Sequence, residues 1–313
     1  MSSRFAKNPV VLIGKQVDIS TQLKTPTSKH ADSLVITKVT NAVDIPMKTG
    51  TKEPKANNTQ AGYTHAEAVL TGAWTAEHNW LFEAYTGDAS SPHTLGSNDI
   101  PYYSLYNYFE DGATDHYDVG IGMKCINLTF DSSGDGAVMF TANFKGASRL
   151  MEVADSTTAA LTLSSLSDSD ATMPADTPML ATDSTCEIEG TTAKIVNMIS
   201  GNLNLTNVPQ DDAANFQNSD VMSSFYICEH TGEQSFSWVY ETTDDPNIYD
   251  NLVGTVQKDT MVFTDGSATH TFVTYGKVLT YNRPDPGKCK FISDLTKRLG
   301  GDSSNAALTI TVA

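Results

Sequence analysis

The sequence contains no apolar run near the roughly 18 residues a membrane-crossing helix needs, no C-x-x-C pair and no surplus of basic residues. Each absence removes a class of function. The short patch VVLIG, within MSSRFAKNPVVLIGKQ, falls below the length of a signal-peptide core and no small-residue cleavage pattern follows it. A soluble protein made and assembled in a cytoplasm is therefore expected, without a membrane partner. Cys125, Cys186, Cys228 and Cys289 lie far apart, which argues against a zinc site or a disulfide framework and for small buried side chains. Lys and Arg number 20 against 37 Asp and Glu, a net charge of −17 spread along the chain. A duplex is a polyanion bound through basic surfaces that displace its counterions, so ordinary nucleic-acid binding is excluded. The same repulsion suits a surface past which DNA moves without sticking. GxSxG, HExxH, Walker and GxGxxG signatures are also missing, which favours a structural role without catalysis, metal or cofactor.

What is present is a repeated pattern. The length of 313 residues fits two domains of roughly 150 each. In GYTHAEAVLTGAWTAEHNWLFEAYTG, Gly62 to Gly87, the residues Ala66, Ala68, Leu70, Gly72 and Trp74 alternate with Tyr63, His65, Glu67 and Thr71 as a half-buried strand does. The period then changes. Thr75 is placed to cap a helix, Glu77 sits in its first turn, Trp80, Leu81, Ala84 and Tyr85 share a stripe, and Gly87 can close it. A looser copy lies at Gln234 to Gly254, where Phe236, Trp238 and Tyr240 alternate with Ser235, Ser237, Val239 and Glu241. There Thr243 is the cap candidate and Ile248, Tyr249 and Leu252 form the stripe. One strand-helix unit used twice predicts a duplicated domain.

The elements around each copy follow one order. Residues 1–31 read as an arm with a β-like run at Val10 to Ile13, and Asp32 to Ile45 as a first strand burying Leu34, Ile36 and Val39. Pro46 to Ala61 is a long hairpin loop carrying Lys48, Lys52 and Lys55. After a loop at Asp88 to Ile100, Tyr102 to Phe109 and Tyr117 to Phe130 form a hairpin, the latter with Ile126, Leu128 and Phe130 on one face and Cys125, Asn127 and Thr129 on the other. The turn DSSGDG leads to a strand in which Val138, Phe140, Ala142 and Phe144 alternate. Ser, Thr, Asp and Ala then dominate, which divides the chain into units at 1–155 and 177–313 joined by a linker or excursion at 156–176. Beyond it, Cys186 to Asn207 reads as β, Val208 to Glu233 as a long loop, and Lys258 to Tyr281 as two strands around DGSATH. Phe291 to Leu299 reads as a short helix and ALTITV as a closing strand.

In that order, GAWTAEHNWLFEAYTG, DVGIGMKCINLTF and GAVMFTANFKGASRLM, followed by SFSWVYETTDDPNIYDNL and LTITVA, resemble the tail tube proteins of long-tailed bacteriophages, in the form with a duplicated tube domain. The resemblance covers most of the chain and rests on order and spacing. It implies a mainly β chain of two tandem β-sandwich units, each with a flanking short α-helix, assembling into a β-lined ring. Rings stack into the tail tube of the virion, assembled in the host cytoplasm, through which viral DNA passes without adhering. Three copies per ring would give pseudo-sixfold symmetry, with a hexamer as the alternative. The resemblance also implies tail-terminator, tape-measure and baseplate-type partners. A rival reading from a different class is a two-domain β-sandwich adhesin or decoration protein on a virion surface.

Candidate residues follow. Carboxylates on or beside proposed strands, Glu67, Asp118, Asp131, Asp135, Glu187, Glu189 and Glu241, are candidates for lining an acidic channel. Lys48, Lys52 and Lys55 are candidates for contacts between rings. Asp131 to Gly136 matches the start of a calcium loop, but Ala142 stands where a bidentate Glu is required, so a hairpin turn is the reading. Asn127-Leu-Thr and Asn204-Leu-Thr match glycosylation acceptors but lie in proposed strands.

Overall fold

In the computed structural model the residues described are 10–20, 26–29, 31–44, 59–96, 99–111, 114–134, 136–153, 177–189, 193–195, 198–210, 226–239, 256–282 and 292–313. Among these residues the fold is mainly β, built from antiparallel strands with one short α-helix. In the N-terminal half, β1 (Val10–Gln16) pairs with β2 (Thr27–Lys29) and along its length with β6 (Tyr102–Asp111). β3 (Ser33–Asp44) and β4 (Thr59–Ala73) form a hairpin. β4 then pairs with β8 (Met139–Gly146), and β8 with the second half of β7 (Thr114–Ser133). The first half of β7 lies between β6 and β9 (Ser148–Val153).

The C-terminal half repeats this pairing scheme strand for strand. β10 (Thr185–Glu189) pairs with β11 (Ala193–Ile195) and with β14 (Val256–Thr264), as β1 does with β2 and β6. β12 (Met198–Gln210) and β13 (Tyr226–Val239) form a hairpin, and β13 pairs with β16 (Ile292–Leu299). β16 opposes the second half of β15 (Thr269–Asn282), whose first half lies between β14 and β17 (Leu308–Val312). The two-residue β5 (His93–Thr94), inside the expected loop, adds to β17. The halves are joined because β12 pairs with the second half of β7, which carries the sheet from β3 through to β15.

The core is shared. Trp74, at the end of β4, is fully buried among Phe130, Phe140 and Phe82 from its own half and His270 from the other. Its indole N–H donates to His270 Nδ1 at 2.7 Å. After Trp74 the chain turns through a 3-10 segment, Ala76–Asn79, which begins at Thr75 with the Thr75 N–H donating to His78 Nδ1 at 3.0 Å. It continues as α1 (Trp80–Thr86) and stops at Gly87, whose φ of 76° is the left-handed conformation glycine adopts without strain. The expected helix is present but buried on more than one stripe. Leu81, Ala84 and Tyr85 face inward as expected, and so does Phe82, which packs edge-on against Phe272 at 5.5 Å, while Trp80 meets Tyr103. A helix wedged between two halves of a core is apolar on most sides.

Four expectations are corrected. Phe291 to Leu299 is not a helix: β16 occupies Ile292–Leu299 between β13 and β15, since two flanking ladders outweigh local propensity. The Val208 to Glu233 loop is shorter than read, because β12 runs on to Gln210 and β13 starts at Tyr226. On β7, Cys125 joins Leu128 and Phe130 inside while Ile126 is only partly buried, because the ladder to β8 skips a residue between Cys125 and Asn127. One extra residue in a bulge reverses the alternation beyond it. Finally, Cys125 and Cys186 are buried, but Cys228 is exposed. Cys289 and the second helix pattern at 243–254 lie outside the described residues.

Candidate functional site

The sheet that runs from β3 to β15 has one apolar and one polar face. Along β8, from Ala66 onward in β4 and from Gly232 onward in β13, every second residue is buried, and the side chains between them point away from the core. Across the seam between the halves this outer face is built from Asn, Thr and Ser. Asn127 Nδ2 donates to Asn204 Oδ1 at 2.7 Å, to the Leu205 carbonyl at 3.0 Å and to Thr206 Oγ1 at 3.2 Å. Its Oδ1 accepts from Thr129 Oγ1 and from Asn143 Nδ2, both at 3.1 Å. Asn202 Nδ2 donates to Asp131. Side-chain amides therefore tie β8, β7 and β12 together on the side away from the core, in addition to the backbone ladder.

Charges on this face are mixed. Glu67 lies opposite Lys145, and Glu233 opposite Arg298 at the corresponding place in the other half, with Arg298 Nη2 at 3.7 Å from Glu233 Oε1. Such exposed pairs contribute little stability. Asp294 accepts from Ser237 Oγ at 2.5 Å, and Lys277 is exposed on β15 opposite Arg298. Among the described residues the face is thus a polar, nearly charge-balanced surface instead of an acidic one.

The sequence-predicted carboxylates distribute unevenly. Glu67 and Asp131 lie on the outer face and are exposed, and Glu67 Oε1 is 3.1 Å from Nε2 of the buried His65. Asp118 is buried at 8% exposure on the first half of β7, in the other layer with β6 and β9. Glu187 is half-buried on β10, opposite Ile195 and Thr260, and the Glu189 backbone follows it in the same strand. Asp135, Glu241, Lys48, Lys52 and Lys55 lie outside the described residues. The DSSGDG segment joins β7 to β8, with Asp131 opposite Met139 and Gly134 at a φ of 61°, as the hairpin reading requires.

Glu233 and Asp294 are outer-face carboxylates that sequence reasoning missed. Glu233 was readable from the repeat, since it stands where Glu67 does, opposite a basic residue of the next strand. Asp294 was hidden by the helical reading of its segment. Where β12 and β13 leave the seam, an open pocket of about 410 Å³ is lined by Asn204, Thr206, Glu229, His230, Glu233 and Arg298, among others. Burial lowers the pKa of its His230, whose Nδ1 lies 2.6 Å from Asn207 Oδ1. No family model and no curated protein matches the sequence.

Proposed function

We propose that the chain is a non-catalytic, self-assembling subunit of a bacteriophage tail tube, built from two tandem tube-type units, 1–155 and 177–313. The observation that carries this reading is the doubled pairing scheme, joined edge to edge between β7 and β12. Two halves with one pairing scheme sit side by side in one sheet, and a ring would continue that arrangement until no edge is left. The polar face would line the channel and the apolar face the wall. Three chains then complete a pseudo-sixfold ring. What supports passage of DNA over retention is the composition of that face. Lys145 stands opposite Glu67 and Arg298 opposite Glu233, Lys277 lies beside Arg298, and the rest of the described surface is Asp131, Asp294 and neutral Asn, Thr and Ser, so among the described residues the cations of this face do not outnumber its carboxylates.

In this reading Lys48, Lys52 and Lys55, between β3 and β4, reach an acidic surface of the next ring, and tail-terminator, tape-measure and baseplate-type proteins meet the tube ends. Electron microscopy of the purified protein is the test. Rings or tubes with a central channel wide enough for duplex DNA are expected, and dispersed monomers at high concentration would overturn the proposal.

A further inference from the structure

The repeat specifies which strands of two copies would meet, and in what register. On β7, Lys124 lies opposite Lys145, and on β15, Lys277 lies opposite Arg298, with a residue skipped just beyond each, between Cys125 and Asn127 and between Val278 and Thr280. Asn127 thus corresponds to Thr280, and Thr129 to Asn282. On the other strand, Thr37 lies opposite Glu67, and Asn204 opposite Glu233, so Thr37 corresponds to Asn204. The seam inside the chain places Asn204 opposite Thr129 and Thr206 opposite Asn127.

Among the described residues the corresponding edges at the two ends of the sheet carry no such neighbour. Among the described residues no strand lies along the outer edge of β3, where the Leu34 carbonyl accepts a side-chain bond from Asn107 Nδ2 at 3.2 Å. On β15 the ladder to β14 ends at Lys277, and no described strand continues along that edge to Asn282. Burial points the same way. Cys125 and Leu128 are 0% exposed at the seam, whereas Val278 and Tyr281, which occupy their places on β15, are only partly buried, and Leu279 is 51% exposed. Among the described residues no strand gives these positions of β15 the cover that β12 gives to β7.

We infer that β3 of a second copy of this chain adds antiparallel to the second half of β15, with Thr37 opposite Asn282 and Val39 opposite Thr280. The inference rests on the tube reading for its ring but takes its register from the seam alone. It makes the contact heterologous, one edge of each copy meeting the other edge of the next, so that copies continue around instead of pairing off. It also makes the contact between chains poorer in side-chain bonds than the seam within them. Asn127, Asn143, Asn204 and Thr206 are replaced there by Thr280, Thr296, Thr37 and Val39. Assembled rings therefore come apart between chains and not through the middle of one.

Cysteine cross-linking tests the register. The variant Thr37→Cys with Asn282→Cys, in a Cys228→Ser background that removes an exposed thiol, is expected to form disulfide-linked multimers on oxidation. Thr37→Cys with Lys277→Cys should not, since those positions lie too far apart along the strand for a disulfide to span. All four substituted positions are exposed, and ring formation by each reduced variant in the microscope shows that folding is intact. Rings without the Asn282 cross-link, or with an efficient Lys277 cross-link, overturn the register and leave the tube reading standing. A monomer that neither assembles nor cross-links overturns both.

Discussion

The two halves of the chain share one pairing scheme and fill it with different chemistry. Where the N-terminal half places Phe144, Ala68, Ile121, Leu12 and Ser104, the C-terminal half places Lys297, Gln234, Thr274, Cys186 and Asp259, all buried. Lys297 Nζ lies 2.5 Å from Asp259 Oδ2, with both side chains at 0% exposure, and also donates to Thr274 Oγ1 at 3.0 Å and the Thr274 carbonyl at 3.2 Å. Thr274 Oγ1 in turn donates to Gln234 Oε1 at 2.7 Å. Burial lowers the Lys297 pKa against the pull of Asp259, and the same burial raises that of Cys186. The strand scheme is thus specified by ladders and register, and tolerates either an oily or an ionic filling. The ionic one has a desolvation cost that a well-packed apolar core avoids.

That contrast breaks most sharply at Lys297. Lys297→Met leaves Asp259 buried without its cation and is expected to cost about 3–5 kcal/mol in urea unfolding. Lys297→Phe with Asp259→Ser, which installs the residues of the other half, is expected to be neutral or stabilising by about 1–4 kcal/mol. If the double variant loses as much as the single one, the halves are not interchangeable at this layer.

His270 marks a second difference, because Tyr117 holds its place in the N-terminal half. Burial lowers its pKa from 6.5 to about 4. The unfolded chain therefore binds a proton that the folded chain refuses between those values, so stability falls as pH drops through 6.5 and levels off below about 4. The loss is on the order of 3 kcal/mol. His270→Gln keeps an acceptor for the Trp74 indole without titrating, and thermal melts across that range should show a shallower slope. An unchanged slope would assign the acid sensitivity to other groups.

The smallest effect compares the seam with the exposed edge. Asn127→Ala removes bonds that tie β8, β7 and β12 together and is expected to cost about 1–2 kcal/mol. Thr280→Ala, the corresponding change on β15, is expected to stay within about 0.5 kcal/mol in the unassembled chain. Equal effects in chemical denaturation would mean that the seam side chains contribute nothing beyond the ladder.

These contrasts also show what was legible in the sequence. The alternation of Leu70, Gly72 and Trp74 and that of Phe236 and Trp238 fall at matching places in β4 and β13, because half-buried strands write their period locally. Phe291 to Leu299 misled because Lys297 sits inside the core between Leu295 and Leu299. A buried lysine breaks the strand alternation and leaves Phe291, Leu295 and Leu299 at helical spacing. The bulge after Cys125 is a property of two strands and has no signature in one of them. Of the candidate channel carboxylates, Glu67 and Asp131 reach the outer face and Asp118 does not, since β7 passes from one layer to the other midway. Edge-to-edge pairing of β7 with β12 joins residues far apart in sequence, and its register was not written in either segment.

In the proposed ring, one chain supplies two of the positions around the circumference. Native mass spectrometry of single rings, released from purified tubes, counts the chains. Three chains per ring are predicted. Six chains per ring, or a chain that remains a monomer under assembly conditions, would contradict it.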